Sequence, residues 1–382
     1  MPDMTSDAGR PVQQCFVHIG LQKTGTSYLQ SIMWQSRDAL RQQGLVMVPG
    51  SKAETFTLML ALRGRLREGV DPQSAYDAPA RLRDLVAGES APRLLLTEES
   101  IAPATVEQVR VLAENLPGVE VHVVLTVRDL ARAIPSVWQQ KITGSGRQPL
   151  DAYLEDVVGR SRRARSFWAS QDLPAVLERW SVVAPPERIH VVTVPPSGTP
   201  PEVLLERFCS VIGVDPAALD REVPRANESL GQVQAELLRR VNVALGDRLS
   251  RREDYRDTAK MYLSRRLLAS QGGVRAKVPV RLEGWCREVA EEHAGALRSG
   301  GYHVVGSVED LMPLPGSFMP GEPVVGEAEV AESAAQALAD AMVHRHAALS
   351  ERWRARAGRR PPPASRLRRV LSRLRRLRRL RR

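Results

Sequence analysis

Residues 20 to 27 read GLQKTGTS. One lysine stands among two glycines and three hydroxyl residues, directly after a short apolar run. Such a loop offers an oxyanion the backbone amides of a helix start, the partial positive charge of that terminus, and an ammonium group. The order is not that of an ATP- or GTP-binding loop, GxxxxGK[ST], where the lysine follows the second glycine. Here Lys23 precedes Gly25, and the shorter turn through Thr24, Gly25, Thr26 and Ser27 leaves less room for a triphosphate. A second anion element lies in VVLTVRDLARAIPSVWQQ, residues 123 to 140, where Arg128 is followed eight residues later by Ser136. A planar guanidinium and a neutral hydroxyl can converge on one phosphate. Proton transfer has its own candidates in Glu98 and Glu99 of LLLTEES, at the exit of an apolar run, although paired glutamates also cap helices. His18, two residues before Gly20, could point at the same place or satisfy a neighbouring group at a buried strand end.

The elements that must position these residues follow from apolar periodicity. QCFVHIG (14 to 20) reads as a buried strand entering the glycine loop. The stretch 26 to 44 then reads as one helix closing at Gly44. GLVMVP, RLLLTEES, VEVHVVLTVRD and RIHVVTVPP add short apolar runs between helical segments, the βα rhythm of a parallel sheet. Helices are expected to dominate from Asn227 to Arg298, with GYHVVGSVEDLMP as a late extended element. PLPGSFMPGEP, residues 313 to 323, reads as a linker, and the alanine-rich stretch behind it as a single helix.

KTGTS resembles the 5′-phosphosulfate loop, K-[ST]-G-T-[ST], of the sulfotransferase family, and an arginine at a strand end with a serine eight residues on resembles that family's 3′-phosphate element. The resemblance runs more weakly through most of residues 13 to 314. It implies 3′-phosphoadenosine 5′-phosphosulfate (PAPS) as cosubstrate and no metal. Lys23 would stand beside the bridging oxygen, Thr24, Gly25, Thr26 and Ser27 would hold the 5′-phosphate, and Arg128 and Ser136 the 3′-phosphate. Glu99 aligns best as the base that deprotonates a hydroxyl or amine acceptor, with Glu98 in reserve. The implied fold is a P-loop-like, three-layer α/β unit over 13–316, a central parallel sheet flanked by helices, with a C-terminal helical extension over 317–358. One departure stands out: there is no good copy of the basic RKGxxG segment that closes over the 3′-phosphate in cytosolic animal members. QGGVRAK (271 to 277), with Arg275, is a poor substitute. Trp34, Trp168 and Tyr153 are the aromatic candidates for stacking on adenine or an acceptor.

Composition bounds the partners. The 382 residues carry a net charge of +11, yet residues 359–382 contain twelve arginines and no acid, so residues 1–358 sum to −1. A basic body suited to nucleic acid is thereby excluded. In 366–382, Leu367, Val370, Leu371, Leu374, Leu377 and Leu380 recur at helical spacing among the arginines, the pattern of a helix lying on an anionic membrane surface. Nucleic acid is the second reading of that tail and a solvated, unstructured tail the third. Three scattered cysteines without a CxxC pair fit reduced thiols, and residues 1–12 read as disordered with no secretory signal. The expected location is cytoplasmic, peripheral to the inner membrane face. A glycan or glycolipid acceptor follows if the tail does bring the enzyme there. The rival functions are an ATP-dependent kinase or NTPase and a non-catalytic adaptor retaining the fold.

Overall fold

A computed structural model describes residues 13–222, 229–249 and 251–358. The expectations for residues 1–12 and for the arginine-rich tail at 359–382 lie outside those residues. Among the described residues eight strands form: β1 (Gln14–His18), β2 (Leu45–Met47), β3 (Arg93–Thr97), β4 (Glu120–Val127), β5 (Ile189–Thr193), β6 (Val278–Pro279), β7 (His303–Val305) and β8 (Phe318–Met319). Six of them make a wholly parallel sheet in the order β2-β3-β1-β4-β5-β7, and β6 pairs with β8 apart from it.

Both faces of this sheet are covered, which is why its strands read as continuous apolar runs. Alternate side chains divide between two cores. Cys15, Val17, Leu94, Leu96, Val123 and Leu125 join one; Phe16, Leu95, Val124 and Val192 join the other. Helices close both layers, giving the α/β architecture with a central parallel sheet that the strand rhythm implied.

A third core is helical. It gathers Ile134 and Trp138 of the helix Leu130–Thr143, Leu238 of the helix Gln232–Leu245, and Leu268 at the end of a π-helix, Arg256–Leu268. The C-terminal helix, Glu327–Gly358, docks on this unit by burying Val330 and Ala337. Arg240 pairs with Glu327 at 2.6 Å, and the Ser333 hydroxyl donates to Gln271 Oε1 at 2.6 Å. The extension therefore has a partner within the chain.

The first helix departs from the single span 26 to 44. It runs Thr26–Gln35, breaks at Ser36, and resumes as Arg37–Gln42. The Ser36 hydroxyl accepts from the backbone N–H of Asp220 at 2.9 Å, a long-range contact that no local pattern announces.

Candidate functional site

Strand order decides where the two anion elements meet. β1 lies between β3 and β4, so the loop leaving β1 and the residue following β4 emerge side by side at the carboxyl edge of the sheet. Chains leaving neighbouring strands in opposite directions open a crevice at that edge, where ligands of open α/β sheets bind. Backbone bonds from Ile19 N to Val124 O (2.9 Å) and Leu21 N to Thr126 O (2.8 Å) continue the β1–β4 pairing into the loop.

The loop is held tightly on its inner side. The hydroxyl of Thr24 is fully buried, donates to the carbonyl of Leu21, and lies 2.7 Å from Thr126 Oγ1. Lys23 has φ of 68°, a left-handed conformation that carries its side chain out of the core. Gly25 is the N-cap of the helix Thr26–Gln35 at φ 85° and supplies no side-chain cap. The conformation favours glycine, and a Cβ there would fall 2.6 Å from Leu204 Cδ2, so that side chain would have to shift. The helix thus presents its first amides uncapped, the state in which a helix start accepts an anion.

Arg128 closes the second element. Its Nη1 donates to the carbonyl of Lys23 at 3.0 Å, and its Nη2 to the carbonyl of Arg132 and, at 3.4 Å, to Ser136 Oγ. Its Nε is buried with no partner. Burial, then the charge of Arg132, lower the Arg128 pKa to about 10, against the opposing pull of Asp129; Arg275 lowers it further. Burial likewise lowers the Lys23 pKa; Glu99 opposes this, and Arg128, Lys260 and Arg265 reinforce it.

Both elements open onto one cavity of about 680 Å³, but Thr24, expected among the 5′-phosphate ligands, is not on its wall because its hydroxyl is turned inward to Leu21 and Thr126. Lys23, Gly25, Thr26, Ser27, Arg128 and Ser136 stand on its wall. Arg132 joins them, and the segment 256–277 adds Lys260, Arg265, Arg275 and Lys277. Seven cations thus face Glu99, the single acidic residue on the wall among the described residues. The QGGVRAK segment therefore reaches the site, although it does not copy the family's basic motif.

The two glutamates separate. Glu99 faces the cavity and accepts from Gln30 Nε2 at 2.8 Å. Glu98 accepts from the backbone N–H of Ser100 at 2.9 Å and caps a short 3₁₀ turn; burial first, then Glu99, raise its pKa. His18 does not reach the cavity. It is fully buried, with Nδ1 2.8 Å from Thr97 Oγ1 and Nε2 3.4 Å from Thr126 Oγ1, and desolvation lowers its pKa to about 3. It is a neutral brace between strands, because the inward side of β1 at that position faces Phe208 and not the ligand edge.

Aromatic expectations are corrected in the same way. Tyr153 and Trp168 belong to the helical core, where Trp168 Nε1 donates to the carbonyl of Val157 at 2.9 Å. Trp34 packs beside the second sheet core. The aromatic residues on the cavity wall are Tyr28 and Trp138. Trp138 falls inside the stretch that carries Arg128 and Ser136, ten residues after that arginine.

No family model and no curated protein matches the chain. Solved structures similar to it do exist. A sulfotransferase from Alicyclobacillus acidocaldarius is 15% identical, with 63% of this chain and 96% of that one covered at a TM-score of 0.38. The sulfotransferase domain from the curacin biosynthetic pathway is 16% identical, with 56% and 80% covered at a TM-score of 0.31.

Proposed function

We propose that the protein is a sulfotransferase that moves a sulfuryl group from PAPS to a hydroxyl or amine of an acceptor. The observation that carries this reading is the opening of the lysine loop and the Arg128–Ser136 pair onto one cationic cavity. A donor with a phosphosulfate at one end and a ribose-linked phosphate at the other presents two anionic groups to match. The cavity volume falls in the ~300–1,000 Å³ range of small-molecule sites.

In this reading Thr26 and Ser27, with the uncapped amides at the helix start, hold the 5′-phosphate. Arg128 and Ser136 take the 3′-phosphate, the arginine through its guanidinium and the serine through its hydroxyl. The acceptor oxygen attacks sulfur as the bond from sulfur to the phosphate oxygen breaks. Its proton passes to Glu99, and Lys23 stabilises the charge developing on the leaving oxygen. Catalysis is then chiefly positioning and charge stabilisation, as in phosphoryl transfer.

Calorimetry tests the donor. Tight binding of 3′-phosphoadenosine 5′-phosphate with weak binding of ADP is expected, independent of Mg²⁺. Equal affinities or a Mg²⁺ requirement favour an NTPase, and absence of binding favours an adaptor. For the tail the proposal is peripheral attachment to an anionic membrane, which suits a glycan or glycolipid acceptor. Deletion of residues 359–382 should then abolish sedimentation with anionic liposomes while sparing nucleotide affinity.

A further inference from the structure

The cavity holds more positive charge than the proposed donor calls for. A phosphosulfate and a ribose-linked phosphate together bring about four negative charges near neutral pH. Among the described residues seven cations face the one carboxylate of Glu99; Arg132 is paired with Asp129, and the remaining six cations against Glu99 leave a net of five on the wall. Position assigns the surplus. Arg132 and Arg275 act on Arg128, at the 3′-phosphate end, whereas Lys260 and Arg265 act on Lys23, where sulfur would lie.

Lys260 and Arg265 reach the cavity together because of an unusual winding. Both belong to the π-helix Arg256–Leu268, whose five-residue closure is seen directly where the N–H of Ala269 bonds to the carbonyl of Ser264. That wider winding brings residue i+5 round to the same side of the helix as residue i. In an α-helix, at 3.6 residues per turn, the same two side chains would diverge by about 140°. Ser264 lines the cavity beside Arg265. Among the described residues no carboxylate pairs with either cation; the ion pair of this helix, Arg256 with Asp257, lies at its start.

We propose that Lys260 and Arg265 form an anion subsite for the acceptor, so that the acceptor already carries a carboxylate, phosphate or sulfate near the hydroxyl or amine that is modified. The inference rests on the sulfotransferase reading, and the donor nucleotide itself serves as the control. The full-length protein is saturated with 3′-phosphoadenosine 5′-phosphate and titrated with inorganic sulfate by calorimetry. A saturable second event is expected, weakened at least tenfold in Lys260→Ala/Arg265→Ala. It should be restored in Lys260→Arg/Arg265→Lys and kept within about threefold in Lys23→Ala. Nucleotide affinity should stay within about threefold in the alanine double variant. Absence of a sulfate event in the wild-type protein overturns the subsite, as does an event unchanged by the double substitution. Loss of the event in Lys23→Ala would assign the ion to the sulfuryl position, and a parallel loss of nucleotide affinity would assign the pair to the donor; either result also overturns it. Failure of the wild-type protein to bind the nucleotide refutes the sulfotransferase reading itself and this inference with it.

Discussion

Arg128 Nη1 donates to the backbone carbonyl of Lys23 across 3.0 Å, joining residues 105 positions apart. The contact makes one site of two motifs, and it sets the state from which a ligand must bind. The Nη atoms of Arg128 are engaged by protein acceptors while its Nε is buried without one. An unsatisfied buried donor costs about 1–3 kcal/mol.

Arg128→Ala should accordingly weaken 3′-phosphoadenosine 5′-phosphate by about 10- to 100-fold, the ~1.5–3 kcal/mol of a charged hydrogen bond. Adenosine 5′-phosphosulfate, which lacks the 3′-phosphate, should be nearly indifferent to the change. Calorimetry with the two nucleotides decides; equal losses would place the arginine elsewhere on the donor.

Lys23→Ala should show the opposite balance. Turnover falls by about 10²-fold or more, the usual consequence of removing a group that stabilises charge only in the transition state. Binding of the product nucleotide changes little. An acceptor found by mass increase in a cell extract supplies the assay, and unaltered turnover would remove Lys23 from the chemistry.

Glu99→Gln and Glu98→Gln should part company. The first removes the base and lowers turnover by about 10²–10⁴-fold. The second keeps an oxygen that can accept from Ser100, so turnover stays within a few-fold. Reversal of that order would make Glu98 the proton acceptor.

Gly25→Ala tests the loop. A left-handed conformation costs an L-residue roughly 1–2 kcal/mol, and the new Cβ would meet Leu204 at 2.6 Å. Lower Tm and at least tenfold weaker nucleotide binding are expected. Adding Leu204→Ala relieves the collision but not the backbone penalty, so full recovery in the double variant would contradict this account.

Acid should unfold the protein through its buried histidines. Burial lowers the pKa of His18 to about 3 and those of His190 and His293 to about 4. Each is depressed from an unfolded value near 6.5, so the native state binds fewer protons, and stability present above pH ~6.5 is lost as the pH falls toward the folded pKa. Each fully depressed group contributes at most about 1.4 kcal/mol per pH unit in that window. Urea denaturation at pH 7, 6 and 5 should show the loss steepening below 6.5. His190→Gln should flatten the slope, and an unchanged slope would exclude that histidine as a contributor.

Much of this protein was legible in its sequence because the physics involved is local. Apolar runs at strand length, each bounded by turn or helix signals, specify a parallel sheet covered on both faces. The lysine loop marks a strand-to-helix turn within eight residues, and Arg128 with Ser136 lie one strand end and two helical turns apart. Those relations depend on periodicity and backbone conformation, which neighbouring residues control.

What only the tertiary structure decided is which distant ends meet and which side each faces. His18 looked as near the ligand as Gly20 does, but the pleat turns it into the core between Thr97 and Thr126. Trp168 looked free to stack and is instead consumed by helical packing. Lys260 and Arg265 gave no local signal, since an α-helical pattern would set them on different faces. It is the π winding and the packing of that helix over the carboxyl edge that bring them to Lys23. Long-range pairing of this kind is selected by total burial and strand order, quantities that no short window of residues contains.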